Sequence, residues 1–129
     1  MTASSIQVSV RDALQSAFSN LSASVYDSVP ETVIPPAIVL VPSSPYFEVA
    51  LIGKSVVKLK VNLTITALVA YYSNAASLDN LEKLIISILA ALPAGYVVDV
   101  VERPVVTQVG PSSLLVSDIN VSTYYTQTS

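Results

Sequence analysis

Residues 57 to 69 alternate: Val57, Leu59, Val61, Leu63, Ile65, Ala67 and Val69 are apolar, and Lys58, Lys60, Asn62, Thr64 and Thr66 stand between the first six of them. Successive side chains of a strand point to opposite faces, so this pattern suits a half-buried β-strand with one face on a core. A helix would scatter the same residues around its circumference. The thirteen residues extend about 43 Å at roughly 3.3 Å each, whereas a compact domain of this length has a radius of gyration near ~14 Å. The strand is therefore expected either to bend strongly or, the favoured reading, to overreach its own core, its tip projecting as part of a hairpin that another subunit covers.

The rest of the chain supplies partners for that strand. Residues 45 to 52 precede it across Gly53-Lys54, where a glycine at the first central position suits the positive φ of a type II′ turn. Five of the eight prolines fall between Pro30 and Pro45, and each removes a backbone donor. The run AIVLV, residues 37 to 41, lies between Pro36 and Pro42 and reads as a short buried strand with a proline stop at each end. Further strands are expected in YVVDVV after Gly95, in PVVTQV after Arg103, and over residues 114 to 125, where Leu115, Ile119, Val121 and Tyr125 alternate with Asp118, Asn120, Ser122 and Tyr124.

Two segments have helical period. Over residues 5 to 22, Ile6, Val10, Leu14, Ala17, Phe18 and Leu21 share one face, with Ser4 and Gln7 spaced as a capping box. Residues 78 to 92 form the second helix, with Ser77 before it, Asp79 and Lys83 at i,i+4 spacing, and Pro93 and Gly95 ending it. Its later part, LIISILAAL, keeps only Ser87 as a polar residue. A helix apolar nearly all round is expected to be covered on more than one side, the second by a neighbouring protomer. Together these elements predict the α+β class: two helices packed on a mixed, mainly antiparallel sheet with a long projecting hairpin, in a single domain over residues 1–129.

Composition then bounds the chemistry. Only 12% of residues are charged, about half the usual share of roughly 25%, while nineteen serines and eight threonines supply a weakly charged, hydroxyl-rich exterior. Such a surface is easily desolvated against a neighbour. The chain has neither histidine nor cysteine, which removes the Ser-His-Asp triad, imidazole and thiol catalysis, disulfides, and His- or thiolate-ligated metal sites. The acidic residues Glu31, Glu48, Asp99, Glu102 and Asp118 show no recurring spacing, and the three glycines stand too far apart for a phosphate loop. No catalytic, metal or cofactor residues are expected, and the chain is read as a non-enzyme.

A net charge of −3 and a single loose basic group, Lys54, Lys58 and Lys60, argue against specific nucleic-acid binding. The uncharged run over residues 61 to 78 alternates polar and apolar residues, so no bilayer helix is expected, and the first residues lack the pattern of a secretory signal. Tyr71-Tyr72 and Tyr124-Tyr125 are adjacent pairs at strand ends, so one member of each should pack inside and the other, Tyr72 or Tyr124, should face outward, either in ordinary packing or as an interface anchor. With the hairpin tip, the candidate interface residues are Gly53, Lys54, Lys58, Lys60, Tyr72 and Tyr124.

The order of segments carries a likeness. VRDALQSAF is followed by VYDSVPE, the proline-bounded PPAIVLVPSSPYFE, the strand VKLKVNLTITALVAYY, the helix LDNLEKLIISILAAL and a closing set of strands. In that order the chain resembles the tail-terminator and head-tail connection proteins of long-tailed bacteriophages, over nearly its whole length. The resemblance implies a structural virion protein, assembled in the host cytoplasm, whose copies form a hexameric ring that caps the tail tube and joins it to the neck. Its partners would be copies of itself, the tail tube protein and a neck or head completion protein, with DNA passing through ungripped and Lys54, Lys58 and Lys60 away from the lumen. A head-side stopper or adaptor ring would use the same apolar surplus. A small apolar-ligand carrier, from a different class, would instead be monomeric and enclose a cavity.

Overall fold

The computed structural model describes residues 10–21, 23–26, 35–53, 56–72, 75–109 and 112–128. Its elements are α1 (Asp12–Ala17), β1 (Ser24–Tyr26), β2 (Ala37–Ile52), β3 (Val56–Ala70), α2 (Ala75–Ala91), β4 (Val97–Val101), β5 (Val105–Val109) and β6 (Ser112–Thr128). The chain is α+β, with two helices and a six-stranded sheet in the order β1-β2-β3-β6-β4, β5 pairing β6 beside β4. The β1–β2 pairing is parallel and all others are antiparallel, which makes the sheet mixed.

The alternating strand is β3, and it is central. Its register with β6 runs from Val56↔Thr128 to Ala70↔Leu114 without a shift. Val61, Leu63, Ile65, Ala67 and Val69 are buried on one face, with Leu115, Ile119 and Val121 of β6 and Ile38 and Leu40 of β2 beside them. On the opposite face the polar residues pair across strands, Thr64 Oγ1 donating to Asn120 Oδ1 at 3.0 Å and Thr66 Oγ1 to Asp118 Oδ1 at 2.8 Å. Cross-strand pairs of this kind add roughly 0.2–1 kcal/mol each.

The expectation of one core face is corrected at one end of the sheet. Ala37, Val39, Leu68 and Leu114 form a second buried cluster, packed by Tyr26, Val41 and Val116. All of these lie on the polar face by register, because β1 brings Tyr26 opposite Val39. Neither β1 nor this cluster follows from the alternation alone.

The strand expected to stop at Pro42 instead continues to Ile52 as β2. β1 covers β2 only along Ala37, Ile38 and Val39. Beyond them, among the described residues, β2 pairs with β3 alone, and an edge accepts proline because a donor missing on its outer side costs no ladder bond. The register breaks between Pro42 and Phe47, where Pro45 also falls. The turn that closes β2 onto β3 differs from expectation too. Gly53 N donates to Val56 O at 2.7 Å, which makes these two residues the closing pair. Lys54 lies outside the described residues. The positive φ of the described glycines belongs to Gly95, at 93°, in the turn after α2.

α2 begins at Ala75, so Ser77 lies inside its first turn and is fully buried instead of preceding the helix. Its Oγ accepts from Tyr72 N at 3.0 Å, which ties the connection from β3 onto the helix. Leu81 and Ile88 are buried against the sheet, with Leu84, Ile85 and Leu89 half-buried beside them. Leu78 and Ile86 are exposed, so within one chain α2 is covered on one side only. Asp79 and Lys83 form the expected pair at 2.9 Å, and its hydrogen bond and charge hold the exposed Lys83 ammonium above its ordinary pKa. α1 places Leu14 and Phe18 in the same core, with Val10 just before it. Ser4, Ile6 and Gln7 lie outside the described residues. No described helix is long and apolar enough to cross a membrane.

Candidate functional site

Because the two strands pair through to Ile52↔Val57, β2 and β3 make a hairpin with two unlike faces. On the polar face Lys60 Nζ stands 3.7 Å from Glu48 Oε2, its register partner on β2. Asn62 Nδ2 donates to Glu48 Oε2 at 2.8 Å and to Pro45 O at 3.0 Å, which anchors the shifted stretch of β2. Lys58 Nζ lies 4.7 Å from the centre of the Tyr124 ring. Each contact is worth only about 0.5–1 kcal/mol at such exposure. They nonetheless lay Lys58 and Lys60 down along the sheet, as a patterned surface and not a loose positive tip.

The other face of the hairpin is apolar and loses its cover toward the turn. Val61 is fully buried and Val57 and Leu59 are half-buried, but Phe47, Val49 and Ile52 on the adjacent strand are 42%, 61% and 71% exposed. Register with Val61, Leu59 and Val57 puts these three on the core face of the sheet. The Phe47 ring stacks on Tyr46 with centroids 4.3 Å apart, and Tyr46 itself packs against the core. This end of the sheet thus carries core-type side chains beyond the reach of its own core.

Of the residues expected at an interface, Lys58, Lys60 and Tyr124 come together on the polar face, with Gly53 at the turn. Lys54 is among the residues not described. Tyr72 is not part of this group. It follows the far end of β3, about 46 Å away along the strand at ~3.3 Å per residue. Each tyrosine pair splits as expected: Tyr71 and Tyr125 pack on the core, while Tyr72 and Tyr124 are exposed. Tyr72 lines a groove of about 530 Å³ with Leu21, Pro36, Val69, Lys83 and Leu84.

A second surface was not singled out by sequence. β4 and β5 lie end to end along residues 112 to 122 of β6 and pair, among the described residues, with β6 alone. Glu102 joins them, its N donating to Asp118 O and its O accepting from Ser117 Oγ, both at 2.7 Å. Val97, Val98, Val100, Val101, Val105 and Val106 are all exposed along this edge. The available signal was VVDVV and VVTQV, apolar on both faces at once instead of alternating. In a central strand that pattern means double burial. Here it marks an edge.

No group of three or more Asp or Glu that could hold a metal occurs among the described residues. Neither a protein-family model nor a curated protein sequence matches the chain.

Proposed function

We propose that the chain is a structural, non-enzymatic virion protein. Its copies close into a ring, hexameric as the likeness to tail terminators implies, that caps the tail tube and joins it to the head-tail neck. The observation that supports this reading best is the uncovered apolar face of the β2–β3 hairpin, where Phe47, Val49 and Ile52 continue the core face past its cover. In this reading the hairpin projects and the next subunit covers it. A soluble monomer gains nothing from core-type residues there, and contiguous exposed apolar surface marks an interaction site.

The polar face suits the remaining contacts. Lys58 and Lys60 are engaged with Tyr124 and Glu48, which suits a place away from the lumen through which DNA passes ungripped, and the partners are the tail tube protein and a neck or head completion protein. Electron microscopy of particles labelled on this chain tests the assignment. Label at the junction of tail and head is the expected result. Label along the whole tube or over the capsid shell overturns it, and label on the capsid side of the neck reassigns the chain to a stopper or adaptor ring.

A further inference from the structure

Among the described residues the sheet has two edges left without a strand partner. One is the outer arm of β2, Phe47 to Ile52, whose side away from β3 has no strand partner among the described residues. The other is the β4–β5 edge. An edge strand presents unpaired backbone donors and acceptors, and proteins ordinarily blunt a long apolar edge with lysine, proline or a covering element. Here Pro104 and the register shift at Asp99 interrupt the second edge, yet six exposed valines remain on it, on both faces of the sheet. Opposite Ser122, Asn120 and Val116, Val97, Val100 and Val105 lie on the polar face; opposite Val121, Ile119 and Leu115, Val98, Val101 and Val106 lie on the core face.

We propose that the β4–β5 edge is the docking strand for a second copy of this chain, which adds the outer arm of its own β2 and so continues one sheet from subunit to subunit. Three observations select this occupant. The arm and the edge both carry apolar residues on the two faces of the sheet, so joining them buries both faces at once. Asp99 and Glu102 on the edge, with Asp118 on β6 behind it, outnumber Arg103, while Lys58 and Lys60 on β3 behind the arm outnumber its Glu48, which makes the two surfaces complementary in charge. Finally, β2 and β4 run antiparallel to one another in the chain's own sheet, because each of the three pairings between them, β2–β3, β3–β6 and β6–β4, reverses direction. A neighbour added in the same orientation therefore presents β2 to β4 as an ordinary antiparallel pair. Such head-to-tail joints close into a ring when the rotation per subunit permits. The proposal rests on the ring reading and supplies the joint it requires.

Because the chain contains no cysteine, introduced cysteines can pair only with each other. Within one chain β2 and β4 are separated by β3 and β6, about 14 Å at ~4.8 Å per strand, too far for a disulfide. Val49→Cys with Val98→Cys would place both thiols on the core face of the joint, and Leu51→Cys with Val97→Cys, the next pair of the same antiparallel register, both on the polar face. Val49→Cys with Val100→Cys, on opposite faces, is the control. Mild oxidation of a same-face pair, followed by denaturing electrophoresis, is expected to give a ladder of covalent oligomers that ends at the ring size, absent from the control and from each single variant.

The alternatives read differently. Efficient dimerisation of Val98→Cys alone means that β4 pairs with β4 across a two-fold axis, which overturns the head-to-tail joint. A ring seen by light scattering, without cross-linking of either same-face pair, overturns the edge joint and leaves the ring reading standing. A monomer at every concentration overturns both.

Discussion

Replacing Val49 and Ile52 together by threonine separates the hairpin's role in assembly from its role in folding. Both side chains lie on the core face, and they are 61% and 71% exposed. Fully burying a valine or isoleucine is worth about 1.5–3 kcal/mol, so the exposed share of the pair amounts to about 2–4 kcal/mol still to be gained when a neighbour covers it. Threonine keeps the β-branched shape a strand prefers but adds a hydroxyl that the joint must desolvate. The double variant should therefore weaken subunit association by roughly 30- to 700-fold, at tenfold per 1.4 kcal/mol. The folded chain should lose no more than about 0.5 kcal/mol per site, as for other surface substitutions. Sedimentation velocity across a concentration series reads the first quantity and thermal melting the second. Unchanged association refutes the reasoning outright. A melt lowered as far as that of a true core variant refutes it differently, by showing that the arm belongs to the chain's own core.

Ile88→Ala supplies that core variant: Ile88 is fully buried between α2 and the sheet, and its truncation should cost about 2–5 kcal/mol in denaturant unfolding. Ser77→Ala removes the acceptor of the Tyr72 amide at 3.0 Å and should cost about 1–3 kcal/mol, with faster hydrogen exchange at Tyr72 as the local signature. Burial raises the Tyr96 pKa above its ordinary value of 10.0, so the neutral phenol is favoured in the folded chain. Its stability contribution is full below pH 10.0 and is lost as pH rises through the higher folded value. Tyr96→Phe should flatten the alkaline limb of a stability-versus-pH curve, and an unaltered limb would rule out Tyr96 as its cause.

Features that depend on neighbours in the chain were the readable ones. Asp79 reaches Lys83 because four residues bring two side chains to one helix face, whatever lies around the helix. Tyr71 and Tyr125 go in while Tyr72 and Tyr124 stay out because adjacent residues of an extended chain diverge. Lys60 was legible as an outward residue of β3, but its pairing with Glu48 was not, since that depends on a register shift near Pro45. Pro42 misled for a related reason: proline limits strands by the hydrogen bond it removes, and among the described residues the outer side of β2 there has no strand to receive one. Tyr72 and the hairpin lysines were both read as interface residues, and their places at opposite ends of one strand already kept them apart.

The sequence by itself determined that residues 57 to 69 form a strand with one apolar face, that two helices and further strands accompany it, and that little reactive chemistry is present. These follow from side-chain period and residue type, which are local properties. The tertiary structure alone decided where the core stops along that strand, and that the valines of β4 and β5 stand at an edge instead of in the centre. Whether an apolar strand is buried depends on what lies on each side of it. Strand order sets that, through contacts between residues far apart in the chain.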